Sequence, residues 1–107
     1  MKQAIQQIIT DFFHNANPKL DSLSIRIECP FATGLSAICE GVYQNKTIYF
    51  EIPFMDELLN FVDDLRNDNP SEQFNIVNIQ INDTNNFYIK KEFDSNFQHE
   101  VETMIKG

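Results

Sequence analysis

The sequence predicts an α+β fold: a two-layer sandwich in which an antiparallel five-stranded sheet carries its helices on one face, in the order α-β-β-β-α-β-β-α. Three observations predict it. Five runs alternate apolar and polar side chains with the period of a half-buried strand. Where these runs follow one another directly, the polar breaks between them are too short for a crossover connection, so neighbours must run antiparallel. Three other runs repeat apolar residues at helical spacing, and each stripe has to be buried against a sheet face.

The first helix is expected over residues 2 to 16, where Met1, Ile5, Ile8, Ile9, Phe12, Phe13 and Ala16 keep one periodicity that stops before Pro18. Leu23, Ile25, Ile27 and Cys29 then alternate with Ser24, Arg26 and Glu28 up to Pro30, the pattern of a strand with one face buried. Gly34 opens a second strand, apolar on both sides, with Leu35, Ala37 and Cys39 on one face and Ser36, Ile38, Glu40 and Val42 on the other. After the polar break Tyr43-Gln44-Asn45-Lys46, the residues Ile48, Phe50 and Ile52 alternate with Thr47, Tyr49 and Glu51, which makes a hairpin. A second helix, 54 to 66, is expected to bury Met55, Leu58, Leu59, Val62 and Leu65 and to end in the turn-forming run Asn67-Asp68-Asn69-Pro70-Ser71. Strands 74 to 82 and 87 to 93 form a second hairpin around Asp83-Thr84-Asn85-Asn86; Val77, Ile79 and Ile81 face one way, and Phe87, Ile89 and Phe93 alternate with Tyr88, Lys90 and Glu92. Asp94 or Ser95 caps a last helix bearing Phe97, Val101, Met104 and Ile105.

The 107 residues are expected to form a single domain, 1–107, large enough to bury one core without metal or disulfide staples. An apolar share of 42%, with ten Phe, is too high for a disordered chain. The net charge of −8, with Lys90-Lys91 as the nearest thing to a basic cluster, argues against direct nucleic-acid binding, which requires several phosphates to be neutralised. No run approaches the ~20 apolar residues of a membrane span, and the N-terminus lacks the pattern of a signal peptide. The expectation is a cytoplasmic protein with no membrane partner. Cys29 and Cys39 fit that setting as core thiols rather than a disulfide framework.

No convergent catalytic set is visible, so no enzyme, no cofactor and no metal site is expected. His14 and His99 have no partners at metal-ligand spacing, and three glycines, Gly34, Gly41 and Gly107, cannot build a phosphate-cradling loop. The pairs Asp63 with Asp64 and Glu51 with Asp56 lack the order and the central Gly of a calcium loop.

Charge is what stands out. Residues 51 to 72 hold seven acids against Arg66 alone, a net of −6 out of the chain's −8. If the apolar stripe of the second helix faces the sheet, the acids face outward. The expected partner-binding surface is therefore Glu51, Asp56, Glu57, Asn60, Asp63, Asp64 and Asp68, suited to a basic protein. The rival is the open face of the sheet, with Arg26, Ile38, Tyr49, Tyr88 and Lys90. The plain reading of an acidic helix is a solvated face, and of the sheet surface a few ordinary exposed side chains.

The order of elements, with YFEIP before the helix DELLNFVDDLRND and FNIVNIQINDTNNFYIKKEFD as a closing hairpin, resembles the YezG-like family of antitoxin and immunity proteins over residues 4 to 94. That family places a Trp at the head of the penultimate strand and a Gly-Lys-Phe type turn before the last; here Phe74 and Asn85-Asn86-Phe87 take those places. The resemblance implies a cytoplasmic protein that binds and neutralises a cognate secreted toxin domain, often a nuclease, and it implies no catalytic residues. A monomer is expected. The alternative is a small acidic chaperone of the type III secretion kind, which has the same element order and holds an effector segment as a homodimer.

Overall fold

The computed structural model describes residues 2–30, 35–82 and 86–106. Three helices, α1 (Lys2–His14), α2 (Met55–Asp68) and α3 (Ser95–Lys106), accompany five strands: β1 (Ser22–Glu28), β2 (Ser36–Tyr43), β3 (Lys46–Phe50), β4 (Ile76–Asn82) and β5 (Phe87–Glu92). The order is the expected α-β-β-β-α-β-β-α, and the fold is α+β with one five-stranded antiparallel sheet. The strands lie in the order β3-β2-β1-β4-β5, so β1 and β4 form its centre and β3 and β5 its edges. Gly34, residues 83–85 of the turn expected at 83–86, Met1 of the first stripe and the side chain of Ile105 lie outside what is described.

The most apolar alternation belongs to the central strands. Leu23, Ile25 and Ile27 of β1 and Val77, Ile79 and Ile81 of β4 are all buried on one face, and they are register partners: Leu23 with Ile81, Ile25 with Ile79, Ile27 with Val77. Upon them pack Ile5, Ile9 and Phe13 of α1 and Leu58, Phe61, Val62 and Leu65 of α2, in one core cluster that includes Cys29 and Cys39. Burial of this kind contributes roughly 25 cal/mol per Å² of apolar surface.

At two places local chemistry sets the shape. The β2–β3 turn has Gln44 and Asn45 both at positive φ, 49° and 64°, as a two-residue hairpin of the right twist demands. A Cβ on Gly41 would stand 2.7 Å from Leu20 Cδ1 and from Phe50 Cε2, so a larger residue there would have to displace the ends of those two side chains.

Helical stripes differ from expectation in detail. In α2, Leu59 is 46% exposed and Phe61 is buried instead, because the buried row runs Leu58, Phe61, Val62, Leu65 at i, i+3, i+4 and i+7. Adding Leu59 would have required a stripe one residue wider than the contact with the sheet. In α3 the same thing happens: Met104 is exposed, and Gln98 is buried next to Val101 in the sequence pattern, donating to Glu102 Oε1 at 3.2 Å. Phe93 is exposed, since β5 ends at Glu92 and the alternation stops there.

Asn75 ties the end of the molecule together. Fully buried, it donates from Nδ2 to the carbonyl of Asp94 (2.8 Å) and accepts at Oδ1 from Asp94 N (2.8 Å), while its backbone bonds Glu92 and Cys29. Asp94 Oδ1 in turn accepts from Phe97 N at 3.0 Å, the N-cap of α3. Ile76 and Val101 are buried outside the main core cluster.

Candidate functional site

The two surfaces expected from the sequence can each be built from their residues. On the helical side, Asp56, Glu57, Asn60, Asp63 and Asp68 are exposed, Asp64 is half-buried, and Glu51 is exposed just beyond β3. Helical spacing sorts them into two stripes. Asp56, Leu59 and Asp63, at i, i+3 and i+7, form one; Glu57, Asn60 and Asp64 form the other. The Leu that fails to enter the core thus sits between two carboxylates on the outside, an apolar group within an acidic field.

Not all of these charges can be assigned to helix stability. Asp56 and Glu57 occupy the first turn of α2, where the helix dipole favours acids, and the N-cap residue Phe54 offers no side-chain bond there. Asp68 is the last residue of the helix and meets the negative end of the dipole. Asp63 and Asp64 lie past the midpoint, where the dipole gives them no support.

Arg66, the one base of the stretch, is used structurally. Its guanidinium donates to the carbonyl oxygen of Cys29 and stands over the ring of buried Phe74, 5.4 Å from the centroid. Lys91 Nζ lies over the same ring at 5.9 Å and is paired with Glu72 at 2.6 Å. Glu72 is therefore compensated, while the acids of α2 face solvent. The arrangement of Arg66, Phe74, Lys91 and Glu72 is not evident from the sequence pattern alone. Its signal was there in the odd position of Lys91, which falls on the apolar side of the β5 alternation.

Alongside α1 the surface is indented twice, against α2 at one end and against the end of β3 and the residues leading into α2 at the other. One recess of about 150 Å³ is lined by Ala4, Ile5, Ile8, Glu57, Asn60, Phe61 and Asp64. Another, of about 470 Å³, is lined by Ile8, Asp11, Phe12, Asn15, Ala16, Phe50, Pro53 and Phe54. Ile8 belongs to both. The rings of Phe50 and Phe54 meet Phe12 edge to face, at 5.9 and 5.5 Å, and stiffen the wall of the larger recess. This groove was not foreseen, although its signal was present in the width of the first apolar stripe. Ile5, Ile9 and Phe13 fill the core, and Ile8, Phe12 and Ala16 remain only half-buried along its shoulder.

On the opposite face of the sheet, the rival residues are exposed, with Tyr49 at 69% and Tyr88 at 56%. The register brings Ile38, Arg26 and Lys90 into one row, in the sequence Ile38, Arg26, Asn78, Lys90. The two tyrosines are not brought together. They end the next row, Tyr49-Glu40-Ser24-Gln80-Tyr88, at opposite edges of the sheet and so ~19 Å apart by strand spacing. Both cations have an acid two residues along the same strand: Arg26 with Glu28 at 3.7 Å, Lys90 with Glu92 at 3.2 Å. A shallow recess of about 230 Å³ lies among Ser22, Ser24, Gln80, Asn82 and Tyr88.

Both thiols are buried and free. Burial raises the pKa of Cys29, opposed by the nearby Arg66, and pushes that of Cys39 up to about 11, with Glu40 adding to the effect. They serve as small hydrophobes. His14 and His99 are exposed, and among the described residues no three His, Cys, Asp or Glu side chains are grouped to hold a metal ion. No described helix is long and apolar enough to cross a membrane.

The chain matches no known family and no curated protein.

Proposed function

We propose that the protein is an immunity protein that acts in the cytoplasm, binding a cognate secreted toxin domain, of the basic nuclease kind, and blocking it without chemistry of its own. The observation that carries this reading is the outer surface of α2, where Asp56, Leu59 and Asp63 form one stripe beside Glu57, Asn60 and Asp64. Acids steer a basic partner to the surface, and an exposed apolar side chain among them supplies the desolvated anchor on which affinity depends. A nuclease must present a basic surface to its substrate, which makes it an apt partner for such a field. The resemblance to antitoxin and immunity proteins, which includes the acidic helix, points the same way.

The test uses the C-terminal domain of a secreted toxin encoded beside this gene. The double variant Asp56→Lys/Asp63→Lys is expected to slow association at least about tenfold at low salt and to flatten its salt dependence. Leu59→Ala is expected to act on dissociation, with a loss of about 1–2 kcal/mol. Inhibition unchanged by all three substitutions removes α2 from the interface. A tight homodimer in light scattering that binds an unfolded effector segment replaces the reading with that of a secretion chaperone.

A further inference from the structure

We propose that the groove along α1 receives a short amphipathic, basic segment of the partner, seated with its apolar side chains in the two recesses and its Lys or Arg side chains against Asp11, Glu57 and Asp64. This rests on the reading of α2 as a partner surface and extends it across the neighbouring helix.

The groove has two properties that together define its occupant. Its floor is apolar, formed by Ile5, Ile8 and Phe61 at one end and by Phe12, Phe50 and Phe54 at the other. Among the described residues its charged lining is of one sign, with Glu57 and Asp64 on the first recess and Asp11 on the second. Gln7 donates to Asp11 Oδ1 at 2.8 Å, which holds that carboxylate in place on the α1 surface. An apolar trough with acidic rims selects against neutral and acidic segments and favours a helix with anchors on one side and bases on its flanks.

The dimensions agree with such a segment. The recesses take α1 residues 4 to 8 and 8 to 16, so their centres are separated by about six residues, or ~9 Å at the helical rise. That matches anchors about two turns apart on an incoming helix. A partner of this kind also removes from water the half-buried Ile8, Phe12 and Ala16, which the protein's own sheet leaves uncovered.

The experiment needs no knowledge of the natural partner. A fluorescent amphipathic peptide with Leu and Phe anchors two turns apart and flanking lysines is titrated into the full chain, beside the same peptide carrying glutamates for lysines. The lysine peptide is expected to bind, to shift amide resonances of residues that line the two recesses, and to lose affinity at least about tenfold, 1.4 kcal/mol, in Ala16→Phe, which fills the larger recess. Ala4→Phe, at an exposed position of the smaller recess, gives the second arm if Ala16→Phe disturbs folding. Equal binding of both peptides, shifts confined to the Tyr49 and Tyr88 face, or affinity indifferent to both filling substitutions overturns the inference. So does a homodimer that Ala4→Phe or Ala16→Phe dissociates, since the groove is then filled by a second copy. Against the toxin domain the two ideas separate: loss of association in Asp56→Lys/Asp63→Lys but not in the filling variants leaves the acidic interface standing and removes the groove from it.

Discussion

Cys39 illustrates at a single residue how burial governs chemistry. Its thiol has a pKa pushed up to about 11 from 9.0, first by desolvation and then by the Glu40 carboxylate. A raised pKa means that the folded chain keeps a proton which the unfolded chain gives up, so stability is undiminished below pH 9.0 and falls as pH rises toward 11. Chemical unfolding at about pH 8 and about pH 10.5 is expected to show a smaller alkaline loss in Cys39→Ala than in the parent, because that linkage is gone. An equal loss in both proteins assigns the alkaline effect to other groups. Leu59 and Arg66 teach the reverse lesson, that identity does not fix location. A leucine is left outside among acids, and the one arginine of an acidic stretch reaches inward to the Cys29 carbonyl and the Phe74 ring.

Among the elements, α2 carries an internal conflict. Its first turn has the acids a helix N-terminus favours, Asp56 and Glu57, but its last residue is Asp68 at the end where a cation belongs. Asp68→Asn is therefore expected to stabilise the fold by roughly 0.3–1 kcal/mol and Asp56→Asn to destabilise it by a similar amount. Urea unfolding measures both, and opposite signs are the decisive result. The existence and order of all eight elements were legible from period and punctuation, because Pro18, Pro30, Pro53 and Pro70 mark ends that propensity alone would blur. Which residue of a helical stripe goes under was not. Leu59 against Phe61, and Met104 against Gln98, depend on the angle at which a helix meets its neighbours, and that is fixed by contacts far apart in sequence.

Over the whole molecule, the sheet separates two surfaces of different character. On one side α1 and α2 present an acid-rimmed groove and an acidic ridge; on the other, cations sit beside acids on their own strands and two tyrosines stand at opposite edges. The acidic ridge was legible because charge is a property of sequence. The groove was only hinted at, because it exists between α1 and segments remote in sequence, α2 and the β3–α2 connection, that the fold brings together. The outer edges of the sheet, β3 and β5, have a further consequence for how copies of the protein meet one another. β5 carries Lys90 and Lys91, a common guard against strand-to-strand pairing, whereas β3, Lys-Thr-Ile-Tyr-Phe, has one lysine at its start and then a β-forming run. What keeps such an edge from recruiting its like is the mutual repulsion of chains with net charge −8. That repulsion vanishes near the isoelectric point of about 4.5. Turbidity is expected to peak there and to be relieved by Tyr49→Lys, which adds a charge to the β3 edge; a variant as turbid as the parent when each is measured at its own isoelectric point clears β3 of that role. The carboxylates proposed to draw in a basic partner would then also act as the colloidal barrier between identical copies.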